Sequence, residues 1–170
     1  MAELWDIYDK NRNKTGKTVR RGVDELKEGE YHIVVTAVIL NLKNEILITQ
    51  RAPFKTYPLM WECNGGSILA GETSLQGVLR EVKEEVGIEL QEEGAILLKT
   101  LKRAVVPADI KDVWVFRKDV KDGEITLPDG EAINYKWVSI DEYTKMYENN
   151  EIVPTVDFGK EDFEKVIKMI

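Results

Sequence analysis

The stretch that decides the fold is GSILAGETSLQGVLREVKEEVGI, which spans residues 66–88. Its second half predicts a helix, because apolar residues recur there at the three- and four-residue spacing of a helical stripe. The stripe comprises Leu75, Val78, Leu79, Val82 and Val86. Thr73 followed by Gln76 is the pattern of a capping box, and Gly87 is a typical helix stop. The sequence therefore predicts a helix that begins after Thr73 and ends at Gly87.

Three glutamates of this helix, Glu81, Glu84 and Glu85, lie within about 100° of one another and apart from the apolar stripe. Like charges four residues apart, such as Glu81 and Glu85, cost an isolated helix about 0.2–0.5 kcal/mol. A multivalent cation would offset that repulsion, since hard cations prefer carboxylate oxygens. A glutamate cluster is more often a solvated helix face than a cation site. The residues of the neighbouring loop are therefore needed to distinguish the two interpretations.

The loop and the helix together carry a longer pattern. It runs Gly66, five residues, Glu72, seven residues, Arg80-Glu81, an apolar residue, one residue, Glu84-Glu85, one residue, Gly87 and an apolar residue. This pattern resembles the Nudix box at every specified position. By this box, and by the order of strands and helices from about residue 31 onward, the chain is identified as a member of the Nudix hydrolase superfamily.

The resemblance implies a hydrolase that uses Mg²⁺ or Mn²⁺ to cleave a diphosphate linkage in a nucleoside diphosphate joined to another group, or in a similar compound. It implies Glu84 and Glu85 as central metal ligands, with Glu81 as a further carboxylate or as a residue that orients water. The backbone carbonyl of Gly65 is a possible additional ligand. Glu81 and Glu84 are also the catalytic candidates inside the box, and Glu84 is the candidate base there.

Four other residues of the box have structural roles by the same resemblance. Arg80 is expected to pair with Glu72 and to fix the loop on the helix. Gly66, together with Gly65, lets the backbone come close to a metal or a phosphate without a side chain in the way. Gly87 ends the helix.

The candidate catalytic and substrate-binding residues outside the box are identified only by their position in the sequence. Glu131, at the start of a strand predicted over 131–138, is a second candidate base, although an exposed glutamate with no role fits the same position. Arg51 ends a strand that leads toward the box, and Lys55 and Tyr57 follow on the next loop. These three side chains could contact a phosphate or stack on a base. Surface ion pairs and ordinary packing explain them equally well.

The rest of the chain predicts an α/β (α+β) fold with a mixed β-sheet sandwiched between helices. HIVVTAVIL at 32–40 is typical of a strand buried on both faces. Further strands are predicted at 45–51, 98–106, 112–118 and 131–138, and further helices at 139–147 and 160–170. Residues 3–8 and 17–21 predict an N-terminal β-hairpin. We therefore expect an extension at 1–29 and a Nudix hydrolase domain at 30–170.

Composition narrows the class of partner. The chain has 170 residues and a net charge of −7, which disfavours a surface for bulk nucleic-acid binding. No apolar run approaches the roughly 20 residues of a membrane helix, and a single cysteine, Cys63, fits a reducing compartment. We expect a cytoplasmic protein, a monomer or homodimer, whose partner is a small diphosphate substrate and not a membrane.

Residues 31–52, followed by WECNGG at 61–66, also resemble isopentenyl diphosphate isomerases. Those enzymes use a cysteine beside the box glycine and a histidine just after it, where this chain has Gly65 and Ser67. Cys63 lies two residues earlier, and His32 is the single histidine. Hydrolysis is therefore the favoured activity. Isomerase-like activity and a non-catalytic module that senses a nucleotide are the alternatives.

Overall fold

The computed structural model describes residues 2–121, 123–128 and 130–170. Across these residues the chain forms nine strands and three helices. The strands are β1 (Leu4–Tyr8), β2 (Lys14–Arg20), β3 (His32–Leu40), β4 (Ile46–Arg51), β5 (Trp61–Glu62), β6 (Asn64–Ser67), β7 (Ile96–Arg103), β8 (Asp109–Arg117) and β9 (Ala132–Val138). The helices are α1 (Ser74–Val86), α2 (Ile140–Glu148) and α3 (Lys160–Ile167). No helix in these ranges is both long and apolar enough to cross a membrane.

The central strand of the larger sheet is β3, which occupies the predicted bounds. It runs parallel to β8 on one side, and on the other it is antiparallel first to β6 and then to β4. The sheet order is β5–β4–β3–β8–β7, with β6 paired to β3 and β9 paired to β4. The parallel β3–β8 pair lies between antiparallel strands, so the sheet is mixed, as the sequence predicted.

Both faces of this sheet are covered by helices. Val35 and Ala37 of β3 belong to a buried cluster with Val78 and Val82 of α1. The next residue of the strand, Val38, turns to the opposite face. There it packs in a second buried cluster with Tyr143, Met146 and Val166 of α2 and α3. Because neighbouring strand residues point to opposite faces, an uninterrupted apolar strand supplies both layers, and the predicted sandwich is confirmed.

The N-terminal hairpin forms its own two-stranded sheet and docks on the larger one. The backbones of Tyr8 and Tyr31 exchange hydrogen bonds of 2.8 and 2.9 Å. At the other end of β1, the carbonyl of Leu4 accepts a 2.7 Å hydrogen bond from the amide of Ala70. Strand β2 begins at Lys14, three residues before the predicted start, because its pairing with β1 continues past a register shift to Tyr8.

The strand β8 starts earlier than predicted, at Asp109, and β7 covers 96–103 where 98–106 was predicted. The start of β8 was not predicted, because the polar residues Asp109 and Lys111 interrupt the apolar pattern that indicates a buried strand. Both side chains are buried, and each is compensated by an ion pair: Arg103 with Asp109 at 2.6 Å, and Lys111 with Asp157 at 3.3 Å. The last helix, α3, ends three residues before the predicted residue 170.

An ion pair between a half-buried arginine and a buried aspartate fixes the tip of the hairpin to the sheet. The guanidinium of Arg12 contacts both carboxylate oxygens of Asp112, whose side chain has 0% exposure. The hydroxyl of Thr100 donates a further hydrogen bond of 2.6 Å to the same carboxylate. Removing one partner of a buried pair leaves an uncompensated charge in the protein interior.

We therefore expect Arg12→Ala to lower the free energy of unfolding by about 3 kcal/mol, measured by urea denaturation. Lys10→Ala, at an exposed position two residues earlier, is the control and should leave stability unchanged. Adding Asp112→Asn to Arg12→Ala should recover part of the loss, because the buried charge is then gone. Equal stability of the Arg12→Ala and Lys10→Ala proteins would contradict this account.

Candidate active site

The helix that carries the glutamates has the predicted ends. The hydroxyl of Thr73 accepts a hydrogen bond from the amide of Gln76 at 3.2 Å, and the Gln76 side chain accepts one from the amide of Thr73 at 2.9 Å. Gly87 ends the helix with a φ of 72°, in the left-handed region that favours glycine. The buried stripe faces the sheet, so the glutamates project beside it toward a cleft.

This cleft has a volume of about 520 Å³, within the usual range for small-molecule sites. Seven of the candidate residues meet there: Arg51, Lys55, Gly65, Glu81, Glu84, Glu85 and Glu131. Gly66, assigned a structural role, also lines it. The sequence therefore identified most of the wall from residues that are far apart along the chain.

The predicted glycine loop is a strand at this point, and the reason is steric. Gly65 and Gly66 lie on β6, opposite Thr36 and Val35 of β3. A Cβ atom at Gly65 would lie 2.1 Å from the carbonyl oxygen of Val35, and one at Gly66 would lie 2.6 Å from the carboxylate of Glu81. A side chain at Gly65 would therefore clash with the backbone of β3, and a side chain at Gly66 would displace the Glu81 carboxylate.

The amide of Gly65 is directed at the metal-ligand candidate Glu85. The Glu85 carboxylate accepts hydrogen bonds from that amide at 3.0 Å and from the side chain of Asn64 at 3.1 Å. Burial raises the pKa of Glu85 to about 8, and repulsion from Glu62 and Glu81 adds to the shift. Burial also raises the pKa of Glu81. The ionised forms of Glu81 and Glu85 are thus destabilised in this cleft, and a bound cation would stabilise them.

Arg80 supplies positive charge next to the glutamates of the cleft. It donates to Glu72 at 2.7 and 3.0 Å and to the carbonyl of Ser67 at 3.1 Å, so the expected pair with Glu72 is present. Its Nη1 also contacts Glu81 at 3.0 Å and Glu84 at 2.9 Å. One guanidinium therefore bridges the loop, the end of β6 and two of the three glutamates.

The carboxylates of Glu81, Glu84 and Glu85 are suitable ligands for a hard divalent cation, although they do not surround one common point in this structure. Within the described residues, no three side chains of His, Cys, Asp or Glu converge on a common metal position. Glu84 is exposed, and its carboxylate is held by Arg80. Carboxylate oxygens in this number are the ligands that Mg²⁺ and Mn²⁺ take.

The cations of the cleft are paired as well. Nη1 of Arg51 donates to both carboxylate oxygens of Glu62 at 2.7 Å, and its Nε donates to the carbonyl of Thr56 at 2.6 Å. The ammonium of Lys55 contacts the carboxylate of Glu131, and burial lowers the pKa of Lys55. Arg51 thus secures the loop after β4, while Glu131 faces a cation.

Tyr57 is the candidate that the structure does not bring to the cleft. Its backbone has a φ of 56°, and its side chain lines a different cavity of about 200 Å³ together with Met60 and Tyr147. A proposed contact between Tyr57 and a substrate in the main cleft therefore has no support in the geometry.

The sequence interpretation missed several residues of the site. Asn64 donates a hydrogen bond to Glu85, and Glu62 pairs with Arg51. Their position shortly before the glycine pair was the available indication of a role in the site. Glu3 and Arg21 reach the cleft from the hairpin. Nothing in the local pattern around them indicated this, because docking of the hairpin places them there.

Comparisons with known proteins agree with this geometry. The NUDIX domain family model matches residues 30–156. An uncharacterised Nudix hydrolase of Listeria monocytogenes is 34% identical over 154 residues, which is 89% of each chain. The 8-oxo-dGTP diphosphatase of Escherichia coli is 46% identical over 55 residues, covering 32% of this chain and 43% of that protein. The crystal structure of a Deinococcus radiodurans protein superposes with a TM-score of 0.70 over 98% of each chain, at 19% identity.

These comparisons do not support the likeness to isopentenyl diphosphate isomerases, and the structure explains why. Cys63 is buried away from the main cleft, and burial raises the pKa of its thiol to about 12. His32 is also buried, stacked on the ring of Trp5 at 4.1 Å. Neither residue reaches the cleft that the glutamates line.

The space around Gly66 gives a direct test of the metal-ligand assignment. We expect Gly66→Ala to weaken Mn²⁺ binding about tenfold or more, because the added Cβ would displace the Glu81 carboxylate. The fold should persist, since the atoms that must move are the end of a flexible side chain. The measurement is isothermal titration with Mn²⁺.

Gly159→Ala is the matched control, because a Cβ at Gly159 meets nothing within 4 Å. It should bind Mn²⁺ as the unchanged protein does. If both alanine variants bind Mn²⁺ equally well, Glu81 is not a ligand.

Proposed function

The chain belongs to the Nudix hydrolase superfamily, and on that premise we propose that it hydrolyses a diphosphate linkage in a nucleoside diphosphate joined to another group. Mg²⁺ or Mn²⁺ is the proposed cofactor. The convergence of Glu81, Glu84 and Glu85 on one cleft beside β6 supports this activity. The other wall of that cleft carries Arg51 and Lys55, whose positive charges suit phosphate oxygens.

Each residue has a separate task in the proposed reaction. A bound divalent cation would neutralise charge on the diphosphate oxygens and lower the pKa of a water molecule. Glu85 is held in place by Asn64 and Gly65, which suits a ligand of fixed position. Glu81 sits against Gly66. Lys55 binds and orients the phosphate groups through its positive charge.

The proposed base is Glu84. It is the most exposed of the three glutamates, so a water molecule can approach it, and it is free to change its orientation when Arg80 releases it. Glu131 is the weaker candidate, because its carboxylate is paired with Lys55. In that pair Glu131 fixes the position of the lysine, and a substrate phosphate competes for the same ammonium group.

A nucleoside in the substrate is favoured by one of the relatives. The Escherichia coli relative is a diphosphatase that acts on a nucleotide, 8-oxo-dGTP, and its similarity to this chain spans 55 residues. A non-catalytic module that senses a nucleotide remains the second candidate function. Loss of a box carboxylate is what we would expect of such a module, and all three carboxylates are present here.

We propose that the extension at 1–29 and the Nudix hydrolase domain at 30–170 form one functional unit. The active enzyme needs both parts. Glu3 and Arg21, from the first part, line the cleft with the glutamates of the second. Hydrogen bonds from Ala70 to Leu4 and from Gly71 to Asp6 join the extension to the loop of the box.

We expect Glu84→Gln and Glu85→Gln each to lower kcat at least 100-fold with Mg²⁺ or Mn²⁺, because each removes a negative charge and a ligand oxygen. The measurement is release of nucleoside monophosphate and phosphate products across a panel of nucleoside diphosphate derivatives. Circular dichroism should show that the fold is kept.

Glu89→Gln is the control, since Glu89 lies just after the helix and pairs with Lys83 on the surface. It should retain full activity. Unchanged turnover in both active-site variants would refute the assignment, and tight nucleotide binding without turnover by the unmodified protein would favour the sensing module.

A further inference from the structure

One arginine in the wall of the catalytic cleft comes from the N-terminal hairpin. Arg21 directly follows β2 and lines the cleft together with Lys55 and the three glutamates of α1. Its place there depends on how the hairpin docks, because the amide of Gly71 in the box loop donates a 2.9 Å hydrogen bond to Asp6 of β1. The extension thus adds a cation to a site whose other charged groups lie in the family domain.

The other two guanidinium groups in or next to the cleft are occupied by protein partners. Arg80 uses Nε, Nη1 and Nη2 for the carboxylates of the box and the carbonyl of Ser67. Arg51 uses Nη1 for Glu62 and Nε for the carbonyl of Thr56. Each of these contacts holds a loop or a strand in place. Neither arginine can therefore turn fully to a ligand without releasing part of the fold.

The guanidinium of Arg21 is held in position but keeps one edge open. Its Nη1 donates a 2.7 Å hydrogen bond to the carboxylate of Glu3, and it lies over the ring of Trp5, 5.8 Å from the ring centre. Among the residues that the structure describes, none accepts a hydrogen bond from Nε or Nη2. The side chain is 55% exposed, so a ligand can reach this edge. Two parallel N–H donors of this kind bind two oxygens of one phosphate.

The charges around Arg21 also favour an anionic ligand. Burial is the main reason that the pKa of Lys55 is lowered, and the positive charges of Arg51 and Arg21 add to this effect. An anion that contacts Arg21 and Lys55 would relieve the repulsion between them. The carboxylates that contact these two cations, Glu3 and Glu131, are each 45% exposed. Exposed ion pairs are weak, so a phosphate group can compete with both carboxylates.

We propose that Arg21 binds a phosphate group of the substrate through Nε and Nη2, so that the hairpin completes the phosphate-binding wall of the cleft. Phosphate offers two neighbouring oxygens to this edge, and the ammonium of Lys55 cannot make the same paired contact. The inference rests on the proposed function, which supplies the diphosphate.

The first test measures binding without turnover. The probe is methylenediphosphonate, a pyrophosphate analogue whose bridging carbon cannot be hydrolysed, titrated with Mg²⁺ present and followed by isothermal titration calorimetry. We expect Arg21→Ala to raise the Kd of the probe about tenfold, because the phosphate loses two charge-assisted hydrogen bonds. Arg21→Lys should recover part of the affinity, since it restores the charge but not the paired donors.

Arg20→Ala is the matched control, because it removes the same charge from the preceding residue. The side chain of Arg20 pairs with Asp24 in the connector after the hairpin, and its loss should leave the Kd unchanged. If Arg21→Ala and Arg20→Ala bind the probe equally well, or if the unmodified protein does not bind it, Arg21 is not a phosphate ligand. If Arg21→Ala alone weakens binding but no diphosphate is hydrolysed, the proposed function fails and the phosphate contact stands.

A second variant separates phosphate binding from a purely structural role of the Arg21–Glu3 pair. Glu3→Gln keeps an oxygen acceptor for Nη1 of Arg21 but removes a negative charge from the cleft. It should therefore lower the Kd of methylenediphosphonate, whereas Arg21→Ala raises it. If Glu3→Gln instead raises the Kd as much as Arg21→Ala does, the pair only holds the hairpin in place and the inference is wrong.

Discussion

The site depends on how closely β6 approaches both β3 and α1. Gly65 pairs in the sheet at a distance that would place a Cβ atom 2.1 Å from the Val35 carbonyl, and Gly66 leaves space that the Glu81 carboxylate fills. This closeness lets the Gly65 amide bind Glu85 directly. A side chain at Gly65 would push β6 away from β3 and draw the amide away from Glu85, and a side chain at Gly66 would displace the Glu81 carboxylate.

Charge balance follows from that packing. Two of the glutamates beside the glycine strand, Glu81 and Glu85, have little solvent to stabilise them, and burial raises the pKa of both. Arg80 compensates for part of this, through contacts with Glu72, Glu81 and Glu84. The same arginine holds the loop of the box through the Ser67 carbonyl. One guanidinium therefore links the fold of the loop to the electrostatics of the site.

The hairpin extends this arrangement beyond the family domain. The pair of Arg12 with the buried Asp112 and the hydrogen bonds to the box loop hold the hairpin against the sheet. As a result Arg21 lies in the wall of the catalytic cleft. In this superfamily the box supplies the chemistry, so elements around it are where a preference for one substrate can arise. The hairpin is such an element.

The sequence by itself determined the features that depend on local spacing. The caps at Thr73 and Gly87, the apolar stripe of α1 and the buried strand β3 were all predicted, because each involves residues a few positions apart or a continuous run. The pairing of Arg80 with Glu72 was expected from the resemblance to the Nudix box, and the structure contains it. Only the tertiary structure decided which distant residues meet. It paired Lys55 with Glu131 and Arg51 with Glu62, turned Tyr57 elsewhere and brought the hairpin to the cleft. These contacts follow from strand register and from docking of whole elements, and short-range spacing in a sequence contains no record of either.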